Sequence, residues 1–260
     1  MRVLRWLLPV ILLLPLAGRA DQADEVARIH TEAIGGRQRM EQMRTLRATG
    51  RVEIGGRVMT FVLLAERPNR LRMETRTENR RIIQATNGVD APWQLLSDDD
   101  PPRVTQLQDF AAREFAADAE FDDPLVNYAA RGYALDYAGV AQVGDRPAIR
   151  LLVTRRLVDS FELLVDAETY FILQRITRQV RQGREILTEI RFDDHRPVGG
   201  VIIPHRFLKY ADGRLLYESR FETVEVNVPI PPDSFNPPIL VNVQLPAAAA
   251  ETGEIPDAAK

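Results

Sequence analysis

The sequence contains no cysteine. This absence excludes disulfide bonds, thiol chemistry, cysteine-based metal sites and a lipid-modified cysteine at the mature N-terminus. The fold must therefore be held together by an ordinary hydrophobic core. About 240 residues are enough to build such a core as one large β domain.

Lysine is also scarce, with only Lys209 and Lys260, so almost all basic residues are arginine. The 34 basic residues face 37 acidic ones, which gives a net charge of −3. A mildly acidic chain is a poor candidate for binding nucleic acid. We therefore expect no nucleic-acid partner.

Long apolar runs are missing except at the N-terminus. The stretch MRVLRWLLPVILLLPLAGRA has Arg2 and Arg5, then an apolar segment from 6 to 17, and ends on small residues. This is the pattern of a cleavable signal peptide over residues 1–20. A membrane anchor is the alternative, but the apolar segment is shorter than the ~20 residues that span a bilayer. We expect export to the periplasm as a soluble protein.

Catalytic motifs are absent as well. No serine lies in a G-x-S-x-G context, and the glycine pairs at 35–36, 55–56 and 199–200 do not match phosphate-binding loops. The acidic run 98–100 could bind calcium weakly, but a solvated loop before two prolines explains it better. We expect no cofactor, no metal and no enzymatic activity.

One cluster leaves a metal-site alternative open. The stretch FDDHRPVGGVIIPHRF contains Asp193, Asp194, His195 and His205. Carboxylates and imidazoles are zinc ligands, so a metal-dependent hydrolase is conceivable on residue type alone. The Asp-Asp-His-Arg-Pro stretch is more typical of a turn between two strands, and we favour that interpretation.

Periodicity predicts helices in two places. Near the N-terminus, residues with helical spacing precede the pair Gly35-Gly36, and a second short stripe follows it, which predicts two short helices or one broken helix. The first stripe is Val26, Ile29, His30 and Ala33, and the second is Met40, Met43 and Leu46. A further helix is predicted over 103–121, from the spacing of Leu107, Phe110, Ala111 and Phe115.

The remaining chain alternates with period two. Residues 47–96 predict about five strands, and residues 133–227 predict six or seven more, joined mostly by hairpin turns. We predict a mainly β fold with helices (α+β), a half-open antiparallel β-barrel of about eleven strands closed by helices over an apolar cavity. This domain is predicted to span 21–236, followed by a disordered Pro/Ala-rich tail at 237–260.

Strand alternation selects ten candidate cavity residues. A shift of one residue in register would reverse every assignment, and for each side chain, Trp93 included, plain core is favoured over ligand contact. The candidates are Phe61, Leu63, Leu71, Met73, Trp93, Leu151, Val153, Phe161, Leu163 and Ile172.

The order and spacing of several segments resemble the LolA-like superfamily of outer-membrane lipoprotein-sorting proteins. The matching segments cover about residues 28–236 and include HTEAIGGRQRMEQMRTLRATGRV, AERPNRLRMET, ATNGVDAPWQL and VGDRPAIRLLVT. The resemblance implies a half-open β-barrel that holds the acyl chains of lipoproteins and moves them from an inner-membrane exporter to an outer-membrane receptor.

The resemblance also implies a role for Arg67. The Arg67-Pro68-Asn69 motif is similar to one in the lipoprotein carrier, where the arginine hydrogen-bonds a helical lid and holds the cavity shut. The chain departs from the carrier in its greater length, its Gly-Gly helix break and its tail. We therefore expect a monomeric carrier of lipid or acylated lipoprotein, with an envelope sensor on the same fold as the alternative.

Overall fold

The fold is taken from a computed structural model, which describes residues 19–97, 102–155, 159–181 and 183–238. The predicted signal peptide up to residue 18, the acidic run 98–100 and the predicted tail from residue 239 lie outside the described residues.

The described chain contains thirteen strands, three α-helices and two short 3₁₀ helices. The helices are α1 (Arg19–Ala33), α2 (Arg37–Gln42) and α3 (Asp109–Asp118), with 3₁₀ helices at Ala129–Arg131 and Pro232–Phe235. The strands before α3 are β1 (Thr45–Ile54), β2 (Arg57–Glu66), β3 (Arg70–Arg76), β4 (Arg81–Thr86), β5 (Trp93–Leu96) and β6 (Arg103–Gln106). The strands after α3 are β7 (Tyr133–Val143), β8 (Arg146–Arg155), β9 (Asp159–Asp166), β10 (Ile172–Arg181), β11 (Arg184–Val198), β12 (Val201–Ala211) and β13 (Arg214–Val226).

All strands belong to one antiparallel sheet. Its spatial order is β6-β5-β4-β3-β2-β1-β13-β12-β11-β10-β9-β8-β7. Two meanders, β1 to β6 and β7 to β13, are thus joined side by side where β1 pairs with β13. Strands β6 and β7 are the two edges, so the sheet is open between them.

The mainly β class with helices is confirmed, but the predicted strand number of about eleven is too low. The sequence patterns missed β6, where Arg103–Gln106 pairs with β5, and the strands after α3 number seven, the upper limit of the six or seven predicted. The residues of β6 had been included in the predicted helix over 103–121, which instead begins at Asp109. A four-residue edge strand is too short for its alternation to be separated from the helical periodicity that follows it.

Two hairpin turns lie at the glycine-containing pairs Gly55-Gly56 and Asp212-Gly213, where the sequence predicts them. Gly55 and Gly56 both have positive φ, as do Asp212 and Gly213. Two successive residues with positive φ make the type I′ turn, which matches the twist of a β-hairpin. These turns fix the pairing of β1 with β2 and of β12 with β13.

Helix α1 lies against one face of the sheet, which we call the helix face. Its buried positions Ala23, Val26 and Ala27 share one hydrophobic cluster with side chains of β7 to β10. The chain then breaks at Gly35, which has φ +124°. A Cβ on Gly35 would collide with the carbonyl oxygen of Gly200 in the β11–β12 turn. The predicted break between two helices is confirmed.

Four phenylalanines connect the two meanders across the helix face. Phe61 of β2 contacts Phe221 of β13 with ring centroids 5.8 Å apart. Phe221 contacts Phe207 of β12 at 4.8 Å, and Phe207 contacts Phe192 of β11 at 5.9 Å. Gly50 of β1 lies between them, and a Cβ there would come within 2.8 Å of the Phe61 ring. The missing side chain at Gly50 thus lets the aromatic row cross β1.

Candidate functional site

Nine of the ten candidate cavity residues lie on the helix face. Cross-strand partners in a sheet share a face, and the register pairs Leu63 with Met73 and Ala65 with Leu71. On the other meander, Leu151 pairs with Leu163 and Val153 with Phe161. The five candidates of the second meander, with α1, form one cluster: Leu151, Val153, Phe161, Leu163 and Ile172.

The two meanders differ in how fully their candidates are covered. Leu151 and Val153, beneath α1, are completely buried. Leu63 and Met73 are only half-buried, while Phe61 and Leu71 are buried. Among the candidates, the side chains that stay accessible on the helix face are therefore those of the first meander, away from α1.

Trp93 lies on the opposite face. In the sheet register, Trp93 lies opposite Ala85, and Ala85 lies opposite Arg72, so these three share a face. Arg72 stands between Leu71 and Met73 on β3, so Leu71 and Met73 are on the other face. Its indole Nε1 donates to the carbonyl oxygen of Phe235 at 2.9 Å, in the segment after β13. Trp93 therefore packs the C-terminal segment onto the sheet and does not share a face with the other nine candidates.

The sequence analysis did not predict three further aromatic residues of the helix face: Phe192, Phe207 and Phe221. All three are half-buried. On β12 and β13 a polar residue stands at the neighbouring alternate position, Lys209 after Phe207 and Ser219 before Phe221, so the apolar alternation there is weak. The signal that could have found them is a phenylalanine recurring in each of three consecutive strands, β11, β12 and β13.

Arg67 lies at the corner between β2 and β3 and contacts the helical side of the molecule. Its Nη2 donates to the carbonyl oxygen of Met40 at 2.7 Å, and its Nε to that of Met43 at 3.1 Å. Its third nitrogen, Nη1, pairs with the carboxylate of Asp122. The guanidinium also stacks over the ring of Phe121 at 5.1 Å. One side chain thus joins the corner to α2 and to the segment that follows α3.

Helix α3 crosses the helix face and is attached to it through charges. Glu114 pairs with Lys209 of β12. Asp118 pairs with Arg175 of β10 at 2.8 Å. None of the ten residues of α3 is fully buried, and its apolar residues Phe110 and Phe115 are half-buried. Helix α3 thus contacts the sheet through charged and half-buried side chains.

Known proteins were compared by sequence and by structure. No family model matches the sequence, and no curated protein matches it significantly. A domain from Vibrio parahaemolyticus named for outer membrane lipoprotein sorting superposes with a TM-score of 0.56 at 12% identity, over 84% of this chain and 97% of that one. A LolA superfamily protein from Nitrosomonas europaea gives 0.52 at 13% identity, over 85% and 99%.

The chain has a LolA-like fold. A DUF1329 family protein from Desulfovibrio piger also matches, with a TM-score of 0.56 at 8% identity, over 82% of this chain and 96% of that one. The matched chains are covered almost completely, so the likeness extends over the whole fold and is not confined to one part of it. Within the residues that the structure describes, no helix is sufficiently long and apolar to cross a membrane.

A buried ion pair joins α1 to the loop after α3 in this LolA-like fold. Nε2 of His30 lies 3.1 Å from the carboxylate of Asp123, and its Nδ1 lies 2.7 Å from the carbonyl oxygen of Tyr170. Burial alone would lower the pKa of His30, but Asp123 and the Tyr170 carbonyl raise it above its usual value. His30, which is 1% exposed, is thus stabilised in its charged form.

The histidines of the metal-site alternative are in structural contacts. His195 stacks on Phe171 with centroids 5.0 Å apart, and Nδ1 of His205 lies 2.8 Å from the carbonyl oxygen of Ile203. Asp194 pairs with the neighbouring Arg196. Across the described residues, no group of three or more histidines and acidic residues is placed to hold a metal.

Proposed function

We propose that this protein is a non-enzymatic carrier of the cell envelope, which binds acyl chains of lipids or lipoproteins on its helix face. The observation that supports this most directly is that the helix face combines accessible apolar side chains with a helix, α3, none of whose residues is fully buried. The Vibrio parahaemolyticus neighbour, named for outer membrane lipoprotein sorting, supports the same proposal.

The energetics suit such a ligand. Each methylene group moved from water to an apolar surface contributes about 0.8 kcal/mol. A long acyl chain therefore needs no catalytic or coordinating group, only apolar area and a cover that opens. The half-buried Leu63 and Met73 and the aromatic row supply this area on the helix face.

In this proposal α3 is the cover of the helix face, and Arg67 is its latch. Its bonds to α2 and to Asp122 hold the segment after α3 near the β2–β3 corner. Loss of these bonds would free that segment to move away from the helix face. Replacing Arg67 by leucine should therefore change how much acyl cargo is retained or released, and unchanged binding and release would remove the latch role.

The proposal includes a cellular route. Residues 1–20 would direct export to the periplasm and be removed, residues 21–236 would form the binding domain, and residues 237–260 would be an accessory tail. A monomer would receive its cargo from an inner-membrane exporter and deliver it to an outer-membrane receptor.

The decisive experiment is mass spectrometry of the organic extract of protein purified from its native envelope. Recovered phospholipid, or a co-purified triacylated lipoprotein, would support the carrier. A clean extract, together with failure to bind an acylated peptide, would refute it. Hydrolysis of an ester or phosphoester substrate, lost in His205→Ala, would instead favour the metal-dependent alternative.

A further inference from the structure

Three cationic side chains project from the helix face, and they lie close to its apolar residues. In the sheet register, Lys209 of β12 lies opposite Ile190 of β11, and Ile190 lies opposite Arg175 of β10. Arg175 lies opposite Leu163 of β9. Arg155 follows Val153 by two residues on β8 and stacks over the ring of Phe161 at 5.3 Å. Alternation therefore places the three cations on one face with these leucines, valines and phenylalanines.

The partners of these cations come from α3 and the residues just after it. Lys209 pairs with Glu114, Arg175 with Asp118, and Arg155 with Glu120 at 2.9 Å. The acidic residues follow the order of the strands, from β12 through β10 to β8. One segment thus supplies a carboxylate to each of three cations on three different strands.

Arginines of the opposite face are paired differently. Arg206 pairs with Glu218 on the adjacent strand, and Arg72 pairs with Glu74 on its own strand. Those pairs lie within the sheet and persist however the helices move. The pairs of Lys209 and Arg175 depend on the position of α3, which has no fully buried residue.

Opening the cover would remove the carboxylates of Glu114 and Asp118. The side chain of Lys209 is only 11% exposed, so water reaches it poorly. A charge left in such surroundings without a partner is strongly unfavourable. A ligand that carries its own negative charge would replace the lost partner, and a neutral ligand would not.

Tyr217 adds a polar group to this region. Its ring lies 5.8 Å from Nζ of Lys209. Burial, with further contributions from Asp118 and Glu114, raises the pKa of Tyr217 above its usual value, so its hydroxyl stays protonated. A protonated hydroxyl beside an ammonium and a guanidinium is a donor set suited to phosphate or carboxylate oxygens.

We propose that the ligand of the helix face is an anionic amphiphile, whose phosphate or carboxylate headgroup replaces the α3 carboxylates on Lys209 and Arg175. The acyl chain lies along the adjacent apolar residues. The inference rests on the proposed function, because it specifies the headgroup of the ligand whose chain that face buries.

The test compares headgroups on the same acyl chain. Lysophosphatidylglycerol, which is anionic, and lysophosphatidylcholine, which is zwitterionic, are titrated below their micelle concentrations into the full-length mature protein, with binding followed by calorimetry. We expect the anionic lipid to bind about tenfold more tightly. Glycerol 3-phosphate alone should not bind at the lipid concentrations used, and equal binding would show a free-phosphate site and overturn the inference.

Two sets of variants act in opposite directions. Lys209→Gln with Arg175→Gln should weaken binding of the anionic lipid about tenfold and leave the zwitterionic lipid unchanged. Glu114→Gln with Asp118→Asn removes the competing carboxylates and should strengthen anionic binding. Arg206→Gln, on the opposite face, is the matched control and should change neither affinity.

The outcomes separate the two proposals. If both lipids bind equally and the charge variants change nothing, the headgroup inference fails while acyl binding stands. If neither lipid binds, the proposed function fails and takes the headgroup inference with it. If the α3 variant weakens anionic binding, the carboxylates do not compete with the headgroup and the inference is overturned.

Discussion

Replacing Arg67 by leucine tests whether one side chain holds the helices to the sheet. The substitution removes the Arg67 donor from the carbonyls of Met40 and Met43 and from the carboxylate of Asp122, while the Met40 carbonyl keeps the amide of Met43. Hydrogen bonds to charged groups contribute ~1.5–3 kcal/mol each. Because the side chains of Arg67 and Asp122 remain 16% and 23% exposed, water compensates part of the loss.

We expect Arg67→Leu to lower the free energy of unfolding by about 3 kcal/mol, measured by urea unfolding. In a domain of this size the melting temperature should fall by about 9 °C. Arg70→Leu is the matched control at the same corner, since Arg70 reaches only Glu66 at 3.4 Å and is 43% exposed. Its cost should stay below about 0.5 kcal/mol.

Hydrogen exchange separates a local latch from a general loss of stability. The amide of Phe121 donates to the carbonyl oxygen of Pro68, and the amide of Met43 donates within α2. If Arg67 holds this region, both amides should exchange about 100-fold faster in Arg67→Leu, while amides of β11 and β12 change less. Equal losses of stability in Arg67→Leu and Arg70→Leu would refute the reasoning.

Three further predictions follow from other parts of the fold. Gly35→Ala should lower the free energy of unfolding by at least ~2 kcal/mol, because the new Cβ meets the backbone of the β11–β12 turn. Gly144→Ala, where a Cβ has open space, should lower it by only about 1 kcal/mol. Equal losses in urea unfolding would contradict this. Because the pKa of His30 is raised in the folded state, its ion pair stabilises the fold fully below pH about 6.5, and this contribution is lost as the pH rises through the folded-state pKa. Between pH 5.5 and 8.5 the wild type should therefore lose more free energy of unfolding than His30→Gln. Trp93, on the opposite face, should keep its fluorescence emission when an acyl ligand binds, and a shift would contradict that placement.

The hairpins could be predicted from sequence because their signals are local. Gly55-Gly56 and Asp212-Gly213 each specify a turn whose geometry needs positive φ, and alternation on both sides extends the strands. The break at Gly35 is local in the same sense. Five of the six strands before α3 and all seven after it follow from such signals.

Other features depend on register and distance, which single-sequence patterns do not carry. Trp93 could not be assigned to a face, because the loop between β4 and β5 resets the alternation. The pairing of Glu114 with Lys209 joins residues 95 positions apart. On its own, an acidic α3 is indistinguishable from an ordinary solvated helix, so its relation to the sheet cations becomes visible only in the fold.

The pairing of β1 with β13 determines when the molecule can be completed. Among the described strands, every other pairing joins neighbours in sequence, whereas this one brings residues 45–54 to residues 214–226. Closing so long a loop costs about 4–5 kcal/mol of chain entropy in addition to ordering the strand itself. The strand that joins the two meanders is also the last one synthesised. A chain that emerges from its N-terminus can form its hairpins early, but it cannot bring Phe61 to Phe221 until β13 is present.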